Sequence, residues 1–183
     1  MSKYTDFFPL AGGGGGGLTP KFQEFTSSGT FTPSQALIDA GGYIETFVVG
    51  GGGRSTSSTN PPVGGEVLIV PMYLTSTSSV SVTVGAGATS SSGGNSVFSG
   101  ASAGGSDVTA KGGQANQGQD NHLSPSWGAI DNNTAGNGVF GYGAGGAGIQ
   151  GDGGVETPLA NSGQAGGNFI NGASGIVKLK WFE

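Results

Sequence analysis

The distribution of glycine constrains the fold of this chain more than any other sequence feature. Glycine supplies 41 and proline 8 of the 183 residues, a proportion that is typical of low-complexity sequence. The chain nevertheless contains strand-length apolar segments that disordered chains seldom carry. These segments are YIETFVV from Tyr43, EVLIV from Glu66, SVSVTV from Ser79 and GIVKLKWF from Gly175. We therefore expect β-strands separated by glycine-rich loops.

Side-chain periodicity divides the predicted strands into two kinds. Residues 43–49 and 67–70 are almost continuously apolar, which is typical of strands covered on both faces, in the centre of a sheet or at a subunit interface. Residues 80–84 and 177–181 alternate strictly, which predicts strands with one face in water. FQEFTSSGTFTP from Phe22 predicts a strand, a turn and a second strand, and 34–40 is the one candidate for a helical turn.

The stretch 85–175 is rich in Gly, Ser, Ala, Asn and Gln, and its apolar residues, such as Phe98 and Val108, are isolated. It predicts loops, and a loop region this long is usually either disordered or functional. Its glycine doublets recur at irregular intervals, which excludes collagen and argues against a solenoid, although stacked glycine-rich loops remain open.

The N-terminal residues predict a separate anchor. Four residues form a short, mainly aromatic segment, namely Tyr4, Phe7, Phe8 and Pro9. Gly12 to Gly17 then form either a flexible linker or an extended helix of about 19 Å. We expect 1–20 to be an anchor and tether and 21–183 to be a glycine-rich β domain. The alternative is that the aromatic residues pack on the same subunit.

Charge and composition exclude several classes of partner. The net charge is −5 and no basic tract is present, so we expect no nucleic-acid binding. No apolar stretch is long enough for membrane insertion, and the N-terminus lacks the core of a signal peptide, so we expect a soluble protein that is not exported. The absence of cysteine excludes disulfides and thiolate metal sites.

Motifs that carry chemistry are weak. Gly141, Gly143 and Gly146 satisfy G-x-G-x-x-G, but no helical pattern follows. His122 is the single histidine and lacks a nucleophile-elbow sequence, so a solvated loop residue is favoured. Acidic residues with oxygen-bearing neighbours could bind calcium, but such turns usually bond their own backbone: Asp120 with Asn121, Asp131 with Asn132 and Asn133, and Asp152 with Glu156. We expect no catalytic residue, metal or cofactor.

Several segments share their order with a known family. They are FTSSGTFTP from Phe25, FVVGGGG from Phe47, SVTVGAGATSSSGGNSVF from Ser81, GYGAGGAG from Gly141 and SGIVKLKWFE from Ser174. From Phe25 to Trp181 the chain resembles the glycine-rich domain at the C-terminal ends of bacteriophage tail fibres. Two features depart from that pattern: PSQALIDAGG replaces a short proline-containing turn, and the domain begins almost at the N-terminus.

The resemblance, with the strand pattern, implies an all-β, β-sandwich-like domain of jelly-roll type with long glycine-rich loops. It implies a virion protein, a homotrimeric tail-fibre or tail-tip subunit that is not an enzyme and binds a host surface glycan or outer-membrane protein. The expected receptor-binding residues are Trp127, Tyr142, His122 and Asn132. Packing in a thin core is the alternative for Trp127 and Tyr142. The other functional reading is a capsid or tail decoration protein with no receptor role, bound to another virion protein through its N-terminus.

Overall fold

The computed structural model describes residues 17–54, 62–114, 160–166 and 170–183. These residues form eight β-strands, one short helix and one 3-10 turn at Gly100–Ala103. The regular elements are β1 Pro20–Phe25, β2 Gly29–Phe31, α1 Gln35–Asp39, β3 Tyr43–Val49, β4 Val67–Tyr73, β5 Val80–Thr83, β6 Ser96–Ser99, β7 Asp107–Ala110 and β8 Ile176–Phe182. The all-β prediction is confirmed.

The strands form two antiparallel sheets of four. The first sheet has the order β1-β8-β3-β4 and the second has the order β2-β5-β6-β7. The two sheets face each other across a common hydrophobic core, which makes the arrangement a sandwich. The jelly-roll type remains a prediction, because this strand order does not by itself establish it.

Alternating side chains from both sheets build that core. Val48 and Leu179 from the first sheet and Val82 and Phe98 from the second are almost completely buried. The Phe31 ring lies between the sheets, with its centroid 6.2 Å from that of Phe98 and 5.3 Å from that of Trp181. The alternating residues of β5 and β8 predict strands with one buried face and one solvent-exposed face, and the structure confirms this prediction.

Two strands lie where the sequence predicts only loops. Strands β6 and β7 have four residues each, and their inward-facing Phe98 and Val108 are the residues that look isolated in the sequence. The remaining inward positions are small, namely Ser96 and Ala110. The prediction of loops was wrong here because a four-residue strand buries only two side chains, too few to show a period.

The predictions for the other strands are partly corrected. Strand β3 is central, as its apolar sequence predicts. Strand β4 is an edge strand, and Ile69 and Tyr73 on its outer face are exposed in the single chain, so a subunit interface stays the prediction for its outer face. Strands β1 and β2 do form, but each belongs to a different sheet. The predicted helical turn is α1, whose N–H of Leu37 donates to Oγ of Ser34 at 3.0 Å.

Glu183 joins three elements at one end of the sandwich. Its backbone exchanges two hydrogen bonds with Thr19, which continues the β1–β8 ladder. Its carboxylate accepts hydrogen bonds from Oγ of Ser34 and from Nε1 of Trp181, and it lies 3.6 Å from Nζ of Lys21. The hydrogen bond from Ser34, then that from Trp181, and the charge of Lys21 lower the pKa of Glu183 below its ordinary value of 4.5.

This pKa shift predicts how stability depends on pH. Because the pKa is lower in the folded state, the ionised carboxylate stabilises the fold at pH values above the ordinary value, and this contribution is lost as the pH falls through the lowered pKa. We expect Glu183→Gln to lower the melting temperature at neutral pH. We expect its difference from wild type to shrink in acid, as measured by calorimetry across pH. A difference that stays constant with pH would contradict a role for the ionised group.

Candidate functional site

Eight strand ends meet at one end of the sandwich, and six of them, those other than the end of β1 and the start of β2, lead into glycine-rich segments. In these antiparallel sheets the ends of β3, β5 and β7 lie beside the starts of β4, β6 and β8. At each of these positions the chain continues as a short segment rich in glycine. With one further segment from the chain before β8, they form what we call the glycine bundle, whose segments are 50–53, 62–66, 85–88, 93–95, 111–114, 163–166 and 172–175.

Segment 50–53 occupies the centre of the glycine bundle. The N–H groups of Gly51, Gly52 and Gly53 donate to three different segments, at the carbonyls of Gly94, Ala173 and Val63, over 2.9, 2.8 and 3.0 Å. Their three carbonyls accept from the other three segments, at the N–H groups of Gly113, Ala88 and Gly166, over 2.7, 2.9 and 3.0 Å. Three consecutive residues therefore bond to all six surrounding segments.

The six outer segments bond to one another in a closed ring. Each is joined to its two neighbours by backbone hydrogen bonds of 2.8–3.0 Å. In order around the ring, the bonds join Gly94 to Ala86, Gly93 to Gly113, Val63 to Gln114, Gly65 to Gly163, Ala173 to Gln164 and Gly172 to Ala88. One backbone is thus enclosed by six others, in hexagonal packing.

This bonding pattern identifies the conformation of the central segment. In a strand the N–H groups point alternately to two neighbours, whereas here three successive N–H groups point to three. In an extended helix with three residues per turn and no internal hydrogen bonds, each N–H group is rotated by a third of a turn from the one before it. Three successive N–H groups then point in three directions, as they do here. The possibility of stacked glycine-rich segments, left open by the sequence, is therefore realised in the described residues.

Glycine is required here for space. A Cβ on Gly52 would lie 1.9 Å from the carbonyl oxygen of Gln164, and one on Gly51 would lie 2.1 Å from that of Ala86. Neither glycine has a positive φ, so left-handed backbone is not the reason for its presence. All four residues of 50–53 are buried, and the bundle is held by backbone packing and hydrogen bonds without a core of large side chains.

Side chains complete the hydrogen bonds where the bundle joins the sandwich. Oγ of the buried Ser96 accepts from the N–H of Gly85 at 2.9 Å. Oε2 of Glu66 accepts from the N–H of Lys111 at 2.9 Å, and the Lys111 carbonyl accepts from the N–H of Glu66 at 2.8 Å. These contacts fix the strand ends relative to the bundle, so the two parts share one rigid junction.

The far end of the bundle holds the described connection 89–92 between two of its segments. The N–H of Arg54 donates to the carbonyl of Ser91 at 3.0 Å, and its guanidinium donates to the carbonyl of Thr89. This joins the end of the central segment to the connection 89–92. Arg54 and Gly166 also lie at this end, whereas Ala160 precedes Gly163, which lies beside Gly50 and Val49 at the sandwich end of the bundle.

The predicted site residues lie outside the described residues. This holds for the receptor-binding candidates Trp127, Tyr142, His122 and Asn132. It also holds for the anchor candidates Tyr4, Phe7, Phe8 and Pro9 and for the calcium and G-x-G-x-x-G candidates. The sequence predictions for these positions therefore stay predictions. The sequence leaves the bundle open without predicting it, because glycine doublets are also typical of loops.

The described ranges contain neither a metal-binding cluster nor a membrane-spanning helix. Within 17–54, 62–114, 160–166 and 170–183, no group of three or more His, Cys, Asp or Glu residues is arranged to hold a metal ion. In the same part of the chain, no helix has the length and apolar character needed to cross a membrane. No family model, curated protein or solved structure matches the chain.

The bundle predicts a steep cost for one added methyl group. We expect Gly52→Ala to destabilise the protein by at least about 3 kcal/mol, because the new Cβ meets backbone atoms that are fixed by other hydrogen bonds. Urea unfolding measures this cost. The matched control is Gly29→Ala, whose Cβ would lie at an ordinary 3.4 Å from the Phe25 ring, and we expect it to change stability by less than about 1 kcal/mol. Equal effects of the two substitutions would contradict the close packing.

Proposed function

We propose that this protein is a bacteriophage virion protein, a tail-fibre or tail-tip subunit that attaches to the host-cell surface through its glycine-rich connections. The proposal assigns it to the exposed surface of the particle, as a non-enzymatic homotrimer bound to another virion protein through its N-terminus. The resemblance of its segments to tail-fibre domains supplies the biological setting.

The observation that carries the proposal is the two-ended form of the described chain. At one end, Thr19 bonds with Glu183 and the chain leads back to the glycine tether at Gly17. At the other end, the glycine bundle ends at the described connection 89–92 and at the residues that border 55–61, 115–159 and 167–169 in the sequence, namely Arg54, Pro62, Gln114 and Gly166. A protein that joins a particle to a cell needs one end for each, and rigid scaffolds that carry variable connections are common in recognition proteins.

The connections have the composition of an adaptable binding surface. The stretch 115–159 is rich in Gly, Ser and Asn and contains Trp127 and Tyr142. Small polar residues adapt their hydrogen bonds, and aromatic side chains supply contact area at low entropic cost. Several copies on one particle convert a weak contact into firm attachment. The partner is then a host surface glycan or an outer-membrane protein, and the sequence of the connections sets the host range.

A decoration protein of the capsid or tail is the second candidate. The same two ends allow it, because a protein that only covers the particle also needs one attached end and one exposed end. Immunogold labelling of particles separates the two candidates, since label at fibre or tail ends supports attachment and label over the capsid supports decoration.

The attachment proposal predicts that 115–159 can be replaced without loss of the fold. Gln114 lies beside Gly53 at the far end of the bundle, whereas Ala160 precedes Gly163, which lies beside Gly50 at the sandwich end, two places away in the ring. The gap is about 10 Å across at ordinary interstrand spacing and about 9 Å along the bundle, or roughly 14 Å in all. A Gly/Ser linker of about eight residues spans roughly 16 Å. We expect the replaced protein to unfold at the wild-type urea midpoint but to lose its ability to compete with particles for host cells.

The single variant Trp127→Ala sharpens this test. We expect it to lose competition while its unfolding midpoint stays that of wild type. Loss of stability would instead assign Trp127 to a core. Competition by the linker-replaced protein that equals wild type would overturn the assignment of attachment to 115–159 and favour the decoration reading.

A further inference from the structure

The outer face of the first sheet carries a row of aromatic and apolar side chains. The strand register places Pro20 opposite Phe182 and Tyr43 opposite Tyr73, and continuing the register places Phe182 beside Tyr43. The rings of Tyr43 and Tyr73 meet edge to face, with centroids 5.5 Å apart. This row is the one farthest from the glycine bundle. With Leu18, Phe22, Pro71 and Ile69 it forms what we call the aromatic face.

The aromatic face is open in the described part of the chain. Phe22 is 71% exposed, Tyr73 63%, Leu18 60% and Ile69 52%. At the bundle end of the same sheet, by contrast, Val49, Val67 and Ile176 form a buried cluster, where Gly163 packs close to a methyl group of Val49. One end of this outer face is therefore covered by the chain's own backbone and the other end is not. Large open apolar patches on soluble proteins mark interaction sites.

The chain before Gly17 leaves the sandwich at the border of this face. The edge strand β1 and the residue Leu18 before it contribute three side chains to the aromatic face, those of Leu18, Pro20 and Phe22. In the sequence, Gly12–Gly17 directly precede Leu18. A tether of six glycines has a root-mean-square span of about 13 Å. The four strands of the sheet are about 14 Å across at ordinary strand spacing. The tether length therefore matches the width of the aromatic face.

We propose that the segment 1–11 of this same chain docks on the aromatic face in the free protein. The segment offers Tyr4, Phe7, Phe8 and Leu10, whose apolar area suits aromatic and aliphatic side chains on a flat sheet. Its Lys3 and Asp6 are opposite in sign to Glu45 and Lys180, which lie in the adjacent row of the face. The face thus matches its occupant in hydrophobic character, and the cross-strand pair Glu45 and Lys180 carries no net charge that would oppose the segment.

The tether also decides between this occupant and a second copy. A short flexible linker gives an effective concentration in the millimolar range, and the effect is greatest when its span matches the distance to be bridged. A second copy would have to compete at the far lower concentration of the protein in solution. At equal intrinsic affinity, the segment of the same chain therefore outcompetes the face of another molecule.

This inference does not rest on the proposed function. The two are compatible, because docking within the free chain keeps the aromatic residues from aggregating until a neighbouring virion protein binds the segment instead. Failure of the docking would leave the two-ended arrangement and its host-attachment test unchanged.

Hydroxyl-radical footprinting tests the proposal, because it reads the accessibility of each side chain. The full chain is compared with the chain that begins at Gly12, at low and at high protein concentration. We expect oxidation of Phe22 and Tyr73 to be roughly threefold slower in the full chain at both concentrations, as expected when a largely exposed ring is covered. Added peptide of residues 1–11 should restore this protection in the shortened chain.

Two further variants serve as controls. Replacing Tyr4, Phe7 and Phe8 together by serine should reproduce the deletion, whereas Thr5→Ser should leave the protection intact. Phe98, which is fully buried, should stay protected in every variant and so report that the fold is preserved. Equal oxidation of Phe22 and Tyr73 in the full and shortened chains would overturn the proposal. Protection that appears only at high concentration would also overturn it, by showing that a second copy covers the face.

Discussion

The absence of a side chain at three consecutive positions is the constraint on which the rest of the structure depends. Gly51, Gly52 and Gly53 form hydrogen bonds to six surrounding backbone segments. A Cβ atom added to any of the three would lie only 1.9–2.5 Å from a carbonyl oxygen of one of these segments. In the bundle, hydrogen bonds between closely packed peptide groups replace the burial of apolar side chains. A chain with short apolar segments can thereby extend a folded structure beyond the reach of its hydrophobic core.

The sandwich and the bundle depend on each other through chain direction. Antiparallel sheets bring the ends of β3, β5 and β7 and the starts of β4, β6 and β8 to one side. The hydrophobic core fixes the positions of those strands. Six glycine-rich segments therefore begin or end at strand ends that already lie close together. Ordering so much glycine is entropically costly, and this cost is reduced because each segment begins from a fixed strand end. The same geometry places the bundle at the end of the sandwich opposite Thr19 and Glu183.

The sequence predicts the fold class well and the bundle poorly. Alternation in β5 and β8 and the apolar run of β3 reflect burial, whereas the apolar outer face of β4 is exposed in the single chain. Strands β6 and β7 leave almost none, since Phe98 and Val108 are their only large inward-facing side chains. The glycine segments look like loops because close backbone packing and conformational freedom select the same residue. A signal does exist: glycine follows β3, β5 and β7 and precedes β4, β6 and β8, which in an antiparallel fold is the same end. The predicted site residues, such as Trp127 in the long connection and Phe7 ahead of the tether, lie outside the described residues and stay predictions.

Amide hydrogen exchange of the glycines in the centre of the bundle tests this account most directly. If six backbones enclose segment 50–53, the N–H groups of Gly51, Gly52 and Gly53 open only when the whole domain unfolds. Their free energy of opening, measured by NMR, should then equal that of the core amide of Val48 in β3. Exchange of these three glycines at the rate of an unstructured chain, while Val48 stays protected, would show that they form an ordinary loop and would contradict the account.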